Sequence, residues 1–328
     1  MVIVRNLSGK TRKKKIKPGA GFGRIGVLMG GPSTERRISL KSGTAVYECL
    51  KAKGLDVVAI NIKTDKVVDN ARLIRRHNID CAFIALHGRF GEDGKMQRIL
   101  DLLGIPYTGS GVLASSLAID KVASRKIFQQ HGLMVPGYKV LEKKRYGLKK
   151  GVRTCFSLPV VVKPATHGSS IGLTLVNDNK GLPAAIKEAF SFDERIIIEE
   201  YIGGREVTVG ILAQEALPAI EIIPKSKFFD YVAKYHPGMT EYIVPAKVDK
   251  HSARAIRHAA LKAHKSLGCF GCSRVDMILD NKGNVFVLEV NTIPGFTSTS
   301  LLPKAAQAKG IDFFALCLKL LQLAYEKK

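Results

Sequence analysis

The chain has 328 residues, 46% hydrophobic and 24% charged, which excludes a disordered, collagen-like or low-complexity protein. A single core stops growing at roughly 250–300 residues, so two or three domains are expected. Lys and Arg number 52 against 28 Asp and Glu, a formal +24 that fits either a polyanionic partner or a merely solubilising surface. The run KTRKKKIK at 10–17 lies in an N-terminus without an acidic residue before Glu35 and without an apolar stretch behind it. Residues 1–23 therefore read as a basic extension, a solvated tail or an acid-poor transit segment rather than a secretory signal. No stretch is apolar for long enough to span a membrane.

From residue 24 the pattern alternates. RIGVLMG (24–30), LDVVAINI (55–62) and IDCAFIAL (79–86) read as strands, and SLKSGTAVYECLKAKG (39–54) and VVDNARLIRRHN as helices. That alternation predicts a doubly wound parallel sheet over 24–110, with ligand loops at the carboxyl ends of its strands. A helix is expected from about 111 to 131, then strands at 158–163, 171–176 and 195–201 with a helix between the last two. The basic stretch 142–153 reads as an exposed connection. From 205 the chain turns strand-rich, with helices expected at about 252–267, 300–309 and 312–326. The predicted architecture is α/β and α+β, with domains at 24–110, 111–203 and 204–328. Six cysteines include one C-x-x-C at 269 and 272. Zinc would need a second pair, so reduced structural thiols in a cytoplasm are expected.

Three loops carry chemistry. GGPS (30–33) links a strand to a helix, as a turn or as an anion-binding loop. It lacks a complete dinucleotide or Walker signature. Glu35, just after it, is either a helix-start carboxylate or a partner for an ammonium group. VVVKPATHGSSIG (160–172) is either a plain hairpin or a small-residue loop over phosphates, with Lys163 as point charge and Lys121 upstream. RVDMILDNKGNVFVLEVNTIPGFT (274–297) reads as a hairpin with Asp276 on one strand and Glu289 and Asn291 on the other. Two carboxylates and an amide oxygen on one sheet face suit Mg²⁺ better than a structural ion pair, while Asp280 is a turn residue.

These loops, in this order, resemble the D-alanine–D-alanine ligases of the ATP-grasp superfamily. The resemblance runs from about 24 to 326 through GGPSTERRISLKSG, ALHGRFGEDG, GIPYTGSGVLASSLAIDK, VVVKPATHGSSIG, IIIEEYIGGREVTV, DYVAKY, RVDMILD and EVNTIPGFTSTSLLP. It implies a three-domain fold with ATP between two antiparallel sheets, and D-alanyl-D-alanine formation through a D-alanyl phosphate for peptidoglycan precursors. Lys121, Lys163 and Ser170 would then contact phosphates, with Lys234 reaching the γ-phosphate. Glu199 and the backbone at Tyr201–Ile202 would read adenine, and Glu206 the ribose. Asp276, Glu289 and Asn291 would hold two Mg²⁺ or Mn²⁺ ions. Glu35 would take the first D-alanine's ammonium with His87 near its carboxylate, and Ser300 and Leu301 the second carboxylate. Arg274 and Gly295 would stabilise the oxyanion. Tyr235 would bond to Ser169 and Glu35, closing a loop within 225–242.

Arg37 stands where the family often has an acidic residue, and His167 where it often has Glu. The 1–23 extension has no family counterpart. Within the enzyme class, D-lactate or D-serine as acceptor is the alternative. Outside it, +24 alone suggests a nucleic-acid-binding protein, but no recognition motif accompanies the charge. The expected partners are ATP and D-alanine, with no nucleic acid or membrane, in a cytoplasmic protein compatible with homodimerisation.

Overall fold

The computed structural model describes residues 21–146, 154–225 and 239–327. Its first sheet is parallel, in the order β2-β1-β3, from β1 (Ile25–Gly30), β2 (Val57–Ile62) and β3 (Cys81–Ile84). Buried on both faces, β1 and β3 are continuous apolar runs, as a covered parallel sheet requires. Helices α1 (Arg36–Ala52), α2 (Val67–Arg76) and α3 (Lys95–Leu103) belong to this region.

The expected helix at 111–131 is two helices, α4 (Val112–Ile119) and α5 (Lys121–Gln130). Asp120 breaks it. Its backbone is extended, and its carboxylate caps α5 by accepting from the Val122 and Ala123 amides. Capping outcompetes continuation here because the side chain satisfies donors that otherwise lack partners.

A four-stranded antiparallel sheet follows, in the order β4-β7-β5-β6, from β4 (Tyr138–Glu142), β5 (Val160–Pro164), β6 (Thr174–Val176) and β7 (Arg195–Glu200). The strand β4, which the sequence pattern did not show, ends where the 142–153 segment read as a connection begins, and the short helix α6 (Lys143–Tyr146) opens that segment. Helix α7 (Leu182–Phe192) covers one face through Val160, Val162, Ile196 and Ile198. The other face carries Tyr138, Val161, Lys163 and Glu199.

The third sheet runs β11-β10-β8-β12-β13, with the two-residue β9 (Glu215–Ala216) beside β8. Its strands are β8 (Gly204–Leu212), β10 (Ile220–Pro224), β11 (Thr240–Ile243), β12 (Cys272–Asp280) and β13 (Val285–Asn291). Helix α8 (Lys250–Ser266) packs on its apolar face together with Ala114, Ala118 and Phe128 of α4 and α5. Helices α9 (Leu301–Ala308) and α10 (Phe313–Glu326) bury Leu302, Leu316 and Leu320 in the core of the first sheet. The basic extension is anchored at its end: Phe22 packs near the Tyr325 ring, and its carbonyl accepts the Tyr325 hydroxyl at 2.6 Å. Among the described residues, no helix is long and apolar enough to cross a membrane.

Candidate active site

Two adjoining cavities hold the described candidate residues. A cavity of about 100 Å³ between the two antiparallel sheets is lined by Lys121, Lys163, Ser170, Glu199, Tyr201, Ile202, Glu206, Asp276 and Glu289. A larger one of about 630 Å³ is lined by Glu35, His87, Lys121, Ser169, Arg274, Glu289, Asn291, Gly295, Ser300 and Leu301. Lys121 and Glu289 line both, so they mark the passage between them. Lys234 and Tyr235 lie outside the described residues, as does most of the expected closing loop.

The smaller cavity is cationic at depth. Lys163 is buried on β5, its Nζ 2.8 Å from Glu199 Oε1. Burial pulls its pKa down to about 8, with the Glu199 carboxylate resisting and Arg125 and Lys121 adding to the fall. Burial works against ionised Glu199, yet Arg125 and then Lys163 hold its carboxyl below the usual range. Lys121 opens α5; its Nζ donates to the His167 carbonyl at 2.7 Å and lies 3.2 Å from Glu289 Oε2. The loop 165–173 joins β5 to its hairpin partner β6, and Ser169 and Ser170 both take positive φ in it. The segment is a hairpin, and its long tip lines both cavities.

The hairpin β12–β13 places Asp276 opposite Glu289 and Arg274 opposite Asn291. A bulge at Leu288 makes this arrangement, because Met277 then pairs with Val287. Val285, Val287 and Val290 stay in the core, while Glu289 and Asn291 line the larger cavity. Asp276 Oδ1 accepts from Thr208 Oγ1 at 2.6 Å and Arg274 Nε at 2.8 Å. Its Oδ2 accepts from Arg274 Nη2 at 2.7 Å and Asn291 Nδ2 at 3.0 Å. Among the described residues, no group of three or more His, Cys, Asp or Glu has metal-binding geometry. The donor set here is two carboxylates plus an amide, all hard oxygens, and it fits Mg²⁺ once Lys121 and Arg274 share their carboxylates with the ion.

Glu35 sits at the N-cap of α1, where a carboxylate meets the positive end of the helix, but its side chain makes no capping bond. Its carboxylate instead accepts from the Ser169 hydroxyl, joining the first sheet's loop to the tip of the phosphate-loop segment. The GGPS serine is a structural tie, with Ser33 Oγ donating to the His87 carbonyl at 2.7 Å. His87 lines the larger cavity, but both ring nitrogens are engaged: Nε2 meets Ser42 Oγ at 2.9 Å and Nδ1 meets the Ile293 carbonyl at 3.0 Å. It bridges the first sheet to the loop carrying Gly295. A Cβ at Gly295 would stand 2.7 Å from Ser300 Oγ, so a larger residue there displaces the serine. Ser300 is the N-cap position of α9 without a side-chain capping bond, its hydroxyl oxygen accepting from the Thr297 amide at 3.1 Å, and the start of that helix lines the cavity through Ser300 and Leu301.

Arg37 also lines the larger cavity, and the His167 ring faces Asp193, whose carboxyl is held low by His167 and Thr166 despite burial. Sequence reading missed Thr208, whose bond to Asp276 needs the register of β8 against β12. It also missed Arg125, although its position one helical turn after Lys121 was a usable signal. Cys269 and Cys272 are buried free thiols pushed up to about 12 by burial, consistent with structural cysteines.

Comparison with known proteins agrees with this geometry. The family model described as "D-ala D-ala ligase C-terminus" matches residues 127–322, and "D-ala D-ala ligase N-terminus" matches 66–110. A D-alanine–D-alanine ligase of Geotalea uraniireducens is 49% identical over 302 residues, 92% of this chain and 95% of that protein. One from Pelotomaculum thermopropionicum is 48% identical over 313 residues, covering 92% and 97% respectively. The crystal structure of the Bacillus anthracis ligase complexed with ATP superposes with a TM-score of 0.80 at 32% identity, over 93% of this chain and 98% of that one. The fold is that of the ATP-grasp ligases, and the chain belongs to the D-alanine–D-alanine ligase family.

Proposed function

We propose that this chain joins two D-alanines into D-alanyl-D-alanine, converting ATP to ADP and phosphate, for peptidoglycan precursor synthesis in the cytoplasm. The observation that carries this reading is the pair of adjoining cavities that share Lys121 and Glu289. One is walled by buried lysines and suits a nucleotide's phosphates. The other is lined by Glu35, a carboxylate suited to one amino acid's ammonium, and by Ser300 at a helix start, suited to a second one's carboxylate. The three-part division at 24–110, 111–203 and 204–328 belongs to the same proposal, as does a homodimer.

A carboxylate does not acylate an amine in water, so it must first be activated. A first D-alanine, its ammonium on Glu35, attacks the γ-phosphorus through a carboxylate oxygen; the bond to the β-phosphate oxygen breaks and ADP leaves. Lys121 and Lys163 oppose the charge on the phosphates, and Glu199 with Tyr201, Ile202 and Glu206 seats the nucleoside. Asp276, Glu289 and Asn291 would hold Mg²⁺ or Mn²⁺. The metal, when bound, neutralises phosphate charge and orients the phosphoryl group. A second D-alanine, its carboxylate at Ser300 and Leu301, then attacks the acyl carbon as a neutral amine. Arg274 and the Gly295 amide face the oxygen that becomes negative, and phosphate departs.

The test is ATP-dependent phosphate release with D-alanine, L-alanine, D-serine and D-lactate, with mass detection of the product. D-Alanyl-D-alanine as the main product at pH 7.5 is expected. A main product of D-alanyl-D-lactate, with both acceptors at equal concentration, would overturn the acceptor assignment. The comparisons lend no support to the D-lactate, D-serine or nucleic-acid alternatives.

A further inference from the structure

Arg125 is the largest side chain that is completely buried, at 0% exposure, and none of the roles above employs it. It stands four residues after Lys121, on the same face of α5, so one helix delivers two cations to the site. Its guanidinium pairs with Glu199 Oε2 and lies 5.2 Å from the centre of the Tyr138 ring. Tyr138 and Glu199 are direct cross-strand neighbours on β4 and β7. Lys163 takes the other oxygen, Oε1, at 2.8 Å. One carboxylate is thus held between two cations, one on each oxygen.

A structural explanation of Arg125 is weak. A fully buried guanidinium costs several kcal/mol in desolvation, and well-packed apolar residues usually replace such pairs without loss. Its Nε and Nη1 are buried without a hydrogen-bond partner in the structure, so stability alone does not account for it. Charge does. With Arg125 present, the Arg125–Glu199–Lys163 group carries a net +1, beside the neutral pair Lys121–Glu289. Without it, Glu199 cancels Lys163, and the cavity loses the unit charge that faces the nucleotide.

We infer that Arg125 is a positioning residue for ATP: it takes one oxygen of Glu199, fixes the carboxylate plane against Tyr138, and leaves Lys163 as a net cation for the phosphates. This rests on the ligase reading only for the identity of the nucleotide site. Arg125 touches no substrate, and D-alanine binds in the other cavity, so its removal acts on ATP alone.

The experiment compares wild type, Arg125→Lys and Arg125→Met in the full chain, by steady-state kinetics and by calorimetric titration of ATP, with circular dichroism as the folding control. In Arg125→Met, KM and Kd for ATP rise about tenfold or more, the usual scale for losing a hydrogen bond to a charged group. KM for D-alanine stays within about twofold, and Arg125→Lys, which keeps the charge but not the planar fork, falls between the two. A folded Arg125→Met protein with wild-type ATP affinity, or equal rises in KM for ATP and D-alanine, overturns the inference. If Arg125→Met does not fold, Arg125→Lys decides: a rise of a few-fold confined to ATP supports the role, and unchanged ATP affinity overturns it. A wild type that binds ATP but forms no dipeptide would sink the ligase reading, while the ATP affinities of the variants would still test Arg125.

Discussion

Lys163 illustrates how burial sets chemistry at a single residue. The proposed role needs its charge opposite phosphate, yet burial lowers its pKa to about 8. The charged form exists below that pKa and is lost as pH rises through it. In the free enzyme, kcat/KM for ATP should therefore hold steady to about pH 8 and fall about tenfold per unit above it. Dipeptide formation should first rise from pH 6 to about 8, because the acceptor attacks as a neutral amine. A kcat/KM for ATP that is level from pH 7 to 10 would refute the assignment of Lys163. Asp276 and Glu289 differ in a similar local way, since one is bound to Arg274 and the other to Lys121. On the proposed metal set, Asp276→Asn and Glu289→Gln should each cut turnover by about 10²-fold or more while the fold persists, as each would remove a hard oxygen ligand. Raised Mg²⁺ should partly restore Glu289→Gln. Normal turnover at ordinary Mg²⁺ in a folded variant would remove that residue from the metal set.

At the scale of the element, α5 is the part on which both cavities depend. It carries Lys121 at its first residue and Arg125 one turn later, and Asp120 begins it. The Asp120 carboxylate also receives Arg195 Nη2 at 2.6 Å, tying the helix to the end of β7. Asp120→Ala removes a cap and a partly exposed ion pair together, at about 1–2 kcal/mol of stability. Because the first turn frays, Lys121 should also lose its hold on Glu289 and the His167 carbonyl. The expected outcome is a melting temperature lower by a few degrees, together with a larger proportional loss of turnover. A variant that melts lower at unchanged turnover would show that the cap serves stability alone.

For the whole molecule, the first and last described segments meet. Phe22 and Tyr325 join the approach to β1 to the last turn of α10, and α9 and α10 share a core with the first sheet. Removing residues 1–20, a basic and polar stretch, should leave the melting temperature and turnover nearly unchanged. Removing residues 1–22 deletes the Phe22 ring and the acceptor for Tyr325, and should cost about 1–3 kcal/mol, read as a lower urea midpoint. Equal stability of the two truncations would show that this contact contributes nothing. The +24 charge has no counterpart in the catalytic geometry beyond the few cations of the site.

The sequence alone determined the periodic elements, because burial on a sheet or helix face imposes a spacing that apolar residues must follow. It also marked the loops that line the two cavities, since lysines, carboxylates and small residues cluster in them. It led to one helix at 111–131 where there are two, because Asp120 acts as a cap only once its carboxylate turns back on the Val122 and Ala123 amides. It left Glu35 undecided between a helix-start carboxylate and an ammonium partner; only the tertiary structure brings Ser169, 134 residues away, to its carboxylate. It placed His87 near a substrate carboxylate, and only the tertiary structure shows that its ring nitrogens also meet Ser42 Oγ and the Ile293 carbonyl while the residue lines the larger cavity. The bulge at Leu288 is the sharpest case. Strict alternation along VFVLEV would put Glu289 on the same side as Val285 and Val287, in the core. One inserted residue reverses the alternation and turns Glu289 to the cavity, since a side chain's face depends on pairing register and not on spacing alone.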